Sequence, residues 1–319
     1  MFGPADEDSA RFATALREGD LGAVRRCPKA DVHTHGVLSG DAGYVRERTG
    51  RELRPVSGTL TSMAAMHDWV ESNVGDLFAG PSGREVGLDA VFARLRSDGV
   101  TVVVLGDDVW MVTQRLGTAA ELTAEIEAAR QRMAPEVRWV PQIGISRHCP
   151  VEAVMRWLEP FLDLGCFASV DLYGDEFAQP IEVFQPVYDA CRTAGLRLTA
   201  HVGEWGSASD VARAVDVLQL DAVQHGIAAA SSTSVMRQLA AHGVTLNVCP
   251  TSNVKLGRVE RLDLHPIRKL FDAGVKVTVN TDDALVFGVG VSEEFLGLYQ
   301  AGVLGADELD QIRRWGLNT

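Results

Sequence analysis

The chain has 319 residues, 46% of them hydrophobic, and a formal charge of −13 at pH 7. That apolar content supports a large core, either one domain of α/β-barrel size or two ordinary ones, and no run approaches the roughly 20 apolar residues of a membrane helix. The negative charge opposes attraction to a phosphate backbone, so the composition argues against a nucleic-acid or membrane partner and for a small molecule.

Taken in chain order, the acidic start "MFGPADEDSA" lacks the basic and apolar regions of a signal peptide. Cys27, Cys149, Cys166, Cys191 and Cys249 form no C-x-x-C pair and read as reduced thiols of a cytoplasmic protein. The first candidate strand, "ADVH" (30–33), runs into "DVHTHG", which carries His33 and His35 two residues apart. The segment from about 37 to 98 is too long for a plain crossover and is predicted to hold extra helices. Further strands are predicted at "VTVVVLG" (100–106), "VRWVPQIGI" (137–145) and "CFASVDLYG" (166–174). The series continues with "LRLTAHVG" (196–203), "DAVQHG" (221–226), "VTLNVCP" (244–250) and "VKVTVNTDD" (275–283). Helical patterns such as "PIEVFQPVYDACRTAG" and "STSVMRQLAAHG" lie between them and stop at glycine, a common helix end. Eight parallel-type strands with intervening helices predict a (β/α)8 TIM barrel over residues 1–319, with the extra helices between strands 1 and 2 lying over its C-terminal mouth.

In such a barrel the working residues sit at the C-terminal ends of the strands. His33 and His35 end the first strand, and Gly174, Asp175 and Glu176 end the fourth. His201 and Glu204 end the fifth, His225 the sixth, and Asp282 and Asp283 the eighth. Each alone has a plainer explanation: a shared strand face, a hydrogen-bonded interior histidine, a turn or a helix cap. Their joint placement at one barrel face argues for a site. His67, His148, His242 and His265 have no such neighbours in the pattern and read as structural.

The motifs "PKADVHTHG", "DLYGDE", "HVGE", "VQHG", "VCPTSN" and "VNTDDALVFG", in this order between about residues 28 and 290, resemble the adenosine deaminase family of the amidohydrolase superfamily. The resemblance implies one Zn2+ bound by His33, His35, His201 and Asp282. It implies Glu204 as the proton-transfer group, His225 beside the attacking water, and Asp283 and Gly174 holding the purine ring, with His35 also at the substrate. The implied reaction is hydrolytic deamination of adenosine or an analogue by attack of metal-bound hydroxide on the ring carbon bearing the amine. Glu204 as a shielded acid suits protonation of a ring nitrogen, and Asp283 suits either holding the substrate or deprotonating water. The alternatives are another metal-dependent amidohydrolase acting on a different heterocycle, and a non-catalytic nucleoside-binding barrel.

The chain departs from the family where adenosine-specific members carry Leu-Asp-Gly after the histidine pair. Gly36 and Val37 stand there, and an acceptor for the sugar is missing. Ser39 and Asp41 are candidates to replace it. The sequence leaves open the natural substrate, the oligomeric state and whether the metal in the cell is zinc.

Overall fold

Apolar residues alternate with polar ones along most of the strand segments, and that period of two decides which side of the sheet each residue faces. In the computed structural model, which describes residues 4–114 and 117–319, the segments form eight strands. The first three residues of the acidic N-terminal stretch lie outside the described residues. The strands are β1 Lys29–Asp31, β2 Val100–Asp108, β3 Arg138–Ser146 and β4 Ser169–Tyr173, followed by β5 Arg197–Val202, β6 Ala222–His225, β7 Thr245–Val248 and β8 Lys276–Val279. They pair in sequence order, every pair parallel.

Most strands are shorter than the sequence pattern suggests. β8 stops at Val279, three residues before Asp282, and β1 stops at Asp31, two before His33. The chain remains extended there, but side chains replace the ladder. Asn280 Oδ1 accepts from Val32 N at 2.9 Å, and Asp31 accepts from Thr281 Oγ1 at 2.6 Å. Thr34 and Asp282 form an isolated parallel bridge, with Asp282 N donating to His33 O at 3.0 Å. These contacts join the last strand to the first and bring two candidate ligands together.

Val170 and Leu172 of β4, Leu198 and Ala200 of β5, and Val277 and Val279 of β8 pack in the main core with the surrounding helices. The alternate residues fill the barrel, and many are polar. Asn247 Nδ2 donates to Gln224 Oε1 at 2.8 Å, Thr278 Oγ1 to Asn247 Oδ1 at 2.8 Å, and Asn280 Nδ2 to Thr278 Oγ1 at 2.9 Å. Buried polar groups satisfied in this way fix one arrangement beneath the mouth.

Three helices, Ala42–Thr49, Met63–Asn73 and Gly80–Ser97, occupy the insertion between β1 and β2, as the sequence predicts. Met63, Met66 and Val70 of the second line the mouth cavity. The final helix, Ala306–Leu317, is tied to the chain before β1 by Arg313 Nη1 donating to Pro28 O at 2.7 Å. Among the described residues, no helix is long and apolar enough to cross a membrane.

Candidate active site

His33 is fixed by what lies behind it. Its Nδ1 is 3.1 Å from the backbone carbonyl of Asn247, which can only accept, so the proton is on Nδ1 and Nε2 is bare. His201 follows the same logic: Nδ1 faces Asp171 Oδ2 at 3.1 Å, leaving Nε2 free to point into the mouth. Burial would raise Asp171, but the charge of His201 beside it holds it below the usual carboxylate range. His35, with its backbone N bonded to Ser39 Oγ at 2.9 Å, brings a third nitrogen.

The three Nε2 atoms lie 3.0, 3.2 and 3.3 Å apart. That is close to the roughly 3.3 Å between nitrogens around a tetrahedral ion at ~2.0 Å. Asp282 Oδ1 completes the group at 3.1 Å from His35 Nε2 and 3.6 Å from His33 Nε2, while its Oδ2 accepts from Ser252 Oγ at 2.6 Å. Imidazole lone pairs converging on a carboxylate repel one another unless positive charge sits among them, so the donor set fits a divalent cation. Burial would lower His35, but its bond to Asp282 and the charges of Asp283, Asp282 and Asp171 push it up to about 10. Asp282 adopts φ +62° and His225 φ +59°. Non-glycine residues in this region cost of order 1–3 kcal/mol each, and here the strain aims both side chains at one point.

His225 offers an atom within 4.8 Å of donors on His33, His201 and Asp282, which would make it a rival ligand. A chain of hydrogen bonds decides otherwise. Ile267 N–H donates to His265 Nδ1 at 3.1 Å, so His265 carries its proton on Nε2, which meets Asn253 Oδ1 at 3.2 Å. The Asn253 amide therefore presents its NH2 to His225 Nδ1, at 3.1 Å. His225 Nδ1 accepts, so the proton is on Nε2, 3.5 Å from Glu204 Oε1 and 3.8 Å from Asp282 Oδ2. Burial, and then the charge of His33, keep His225 neutral, well below its ordinary pKa. It is a hydrogen-bond donor facing the site.

Glu204 is buried, and its Oε1 has no hydrogen-bond partner. Burial, Asp282 and Glu176 push its carboxyl well above the usual range, so it carries a proton near neutrality. Its backbone is clamped by Glu176, which accepts from Gly203 N at 2.8 Å, Glu204 N at 2.9 Å and Trp205 N at 2.8 Å. Asp283 is likewise buried with an unpartnered Oδ1, and burial followed by Asp282 raises it to about 7.

Gly174, His35, His201, Glu204, His225, Asp282 and Asp283 line one cavity of about 650 Å3, with His33 buried beneath it. At Gly174, φ is +99° and a Cβ would sit 3.3 Å from His148 Cδ2, so glycine leaves the backbone open to the cavity. Several sequence readings are corrected. His67 lines the cavity wall, and His265 is the anchor of the His225 relay. Ser39 cannot serve a sugar, because its hydroxyl bridges His35 N and Asp282 O. Asp41 caps the helix Ala42–Thr49 by accepting from Tyr44 N at 2.7 Å. Asp171, Ser252 and Asn253 escaped the sequence reading; an aspartate inside the apolar run "SVDLY" was a signal for the first.

A barrel mouth equipped in this way is that of a metal-dependent amidohydrolase. Within that class the chain belongs to the adenosine deaminase family, whose family model, described as adenosine deaminase, matches residues 145–319. A Treponema pallidum protein, provisionally named an adenosine/adenine deaminase, is 33% identical over 290 residues, covering 88% of this chain and 94% of its own. The crystal structure of an adenine deaminase from Arthrobacter aurescens has the same fold, with a TM-score of 0.78 at 24% identity over 91% of this chain and 93% of that one. An amidohydrolase from Burkholderia ambifaria, solved with bound Zn, superposes with a TM-score of 0.76 at 20% identity, covering 100% of this chain and 88% of its own.

Proposed function

We propose that residues 1–319 form one deaminase barrel that removes the amino group of an adenine-type purine by hydrolysis. One Zn2+ would be held by His33, His35, His201 and Asp282. The observation that carries this reading is the triangle of converging Nε2 atoms of His33, His35 and His201 beside the buried Glu204, whose Oε1 has no hydrogen-bond partner. The names of the Treponema and Arthrobacter proteins and the zinc in the Burkholderia structure support it.

Bound there, Zn2+ would lower the pKa of a coordinated water towards about 7. The chain's own residues supply the rest. Glu204 gives its proton to a ring nitrogen, which makes the neighbouring amine-bearing carbon electrophilic. His225 directs its Nε2–H at the incoming oxygen and steadies the charge that develops there. Asp283, its Oδ1 unpartnered, accepts a hydrogen bond from the purine edge or a proton from the attacking water. Gly174 lets the ring approach the backbone at the end of β4. The water oxygen becomes the ring carbonyl: one proton of the water passes by way of Asp283 to the amine, which departs as ammonia, and the other returns to Glu204, which had protonated the ring nitrogen.

The test is ammonia release, with the accompanying ultraviolet change, from adenine and adenosine, before and after chelation and zinc restoration. Chelator-sensitive turnover with about one zinc per chain is expected. Full activity after complete metal removal would overturn the metal assignment, and silence on every aminopurine would overturn deamination.

A further inference from the structure

The cavity is larger than a bare bicyclic base needs, at about 650 Å3. Its walls therefore bear on what the purine carries. Among the described residues lining it, Arg84 is the one arginine or lysine, against seven carboxylates. Arg84 is not free to meet an anion. Its guanidinium grips Asp107, with Nη1 to Oδ1 at 3.1 Å, and its Nε bonds Glu125. Among the described residues, a divalent ion and Arg84 together leave this wall net negative even with Glu204 and Asp283 protonated, and a phosphate dianion would enter a repelling field.

Asp108, next to Asp107 at the end of β2, differs from it in having no arginine or lysine partner among the described residues. Its neighbours are oriented instead. The Trp110 indole can only donate, and its Nε1 reaches the Tyr173 hydroxyl oxygen at 3.2 Å. Tyr173 is therefore free to turn its own O–H towards Asp108, which lines the same cavity. That satisfies part of the carboxylate and leaves acceptor capacity facing the cavity. Ser39 and Asp41, the polar residues nearest the histidine pair, are committed elsewhere. Met63, Met66, Val70 and Met111 form an adaptable apolar wall that also suits an uncharged group.

We infer that the site takes an aminopurine nucleoside and refuses the corresponding nucleotide, and that Asp108, set by Tyr173 and Trp110, accepts hydrogen bonds from the sugar hydroxyls. This rests on the deamination reading above. It makes Asp108 a specificity-determining residue that contributes little to the reaction at the ring carbon.

The experiment is kcat/KM for adenosine, AMP and adenine, with the zinc-loaded full chain and its Asp108→Asn variant. In the wild type, adenosine should exceed AMP by at least about 100-fold, the discrimination expected when a dianion meets uncompensated carboxylates. In Asp108→Asn, kcat/KM for adenosine should fall about 10-fold more than that for adenine, chiefly through KM. AMP turnover comparable to adenosine overturns the inference, as does a wild type that prefers adenine to adenosine. Equal losses on adenine and adenosine in the variant also overturn it, since Asp108 would then act through the metal cluster. The wild-type ratio needs no variant and decides the matter if Asp108→Asn misfolds. If no aminopurine is deaminated, the proposed function fails and this inference fails with it. A deaminase active on adenine alone fails only the inference.

Discussion

Replacing Glu176 by glutamine keeps the shape of the side chain and removes its charge. The carboxylate accepts three successive backbone N–H groups, from Gly203, Glu204 and Trp205, at 2.8–2.9 Å. In glutamine one oxygen still serves Glu204 and Trp205, but the NH2 end meets the N–H of Gly203, donor against donor. One charge-assisted bond of about 1.5–3 kcal/mol is lost and the other two weaken to neutral strength. The turn that aims Glu204 then shifts, and a misplacement of about 1 Å at a reacting group can cost ~100-fold in rate. Glu176 also helps to raise Glu204, so without its charge Glu204 deprotonates at lower pH. Since the protonated form is the acid, the alkaline limb of the kcat profile moves towards acid. We expect kcat to fall 100- to 1,000-fold, or roughly 3–4 kcal/mol, with KM within a few-fold and zinc content unchanged. Steady-state ammonia release across pH 5–9, with metal analysis on the same samples, measures all three. A kcat within threefold of wild type, or a loss that tracks lost zinc, would refute the reasoning.

Asn253→Ala should free His225 to move its proton to Nδ1, lowering kcat about 10- to 100-fold with zinc retained. An unchanged rate would mean that the relay does not set the tautomer. Glu204→Gln should hold zinc and fold yet lose at least ~1,000-fold in turnover. The same variant bears on stability. Glu204's folded pKa is raised, so its favourable contribution is present below its unfolded pKa and fades as pH rises. Glu204→Gln should therefore melt higher than wild type at pH 8, by calorimetry on metal-free samples, with the gap closing by pH 4; equal melting at both pH values would contradict the buried acid.

The barrel and the residues at its mouth were legible because their signals are local. A polar residue directly after an apolar run marks a strand end, and five such ends among eight strands in one order specify where they meet. His33, His35, His201, Glu204, His225, Asp282 and Asp283 were found this way and converge as the pattern requires. What escaped is what acts across sequence distance. Nothing in "CPTSN" or "DLHP" says that Asn253 stands behind His225, 28 residues away in sequence, or that His265 stands behind Asn253, 12 residues further on. Glu176 was seen only as a strand-end acid, because its partners are backbone amides that any sequence provides. Strand length was overstated at β1 and β8, where side chains of Asp31 and Asn280 take over the pairing and polarity no longer tracks the ladder.

The relay behind His225 has a direction. It begins at the Ile267 amide, a proton that belongs to the peptide and cannot be handed on, and each later bond inherits its polarity from that one. The rear nitrogen of His225 is thus sealed as a receiving end, and no proton leaves through it. In the proposed reaction, the protons that His225 meets during turnover are therefore exchanged on the cavity side, among Glu204, Asp283 and the departing amine. Ammonia leaves in that reaction with a proton drawn from the water while Glu204 regains its own on the same side, so product escape and the resetting of the acid share one opening.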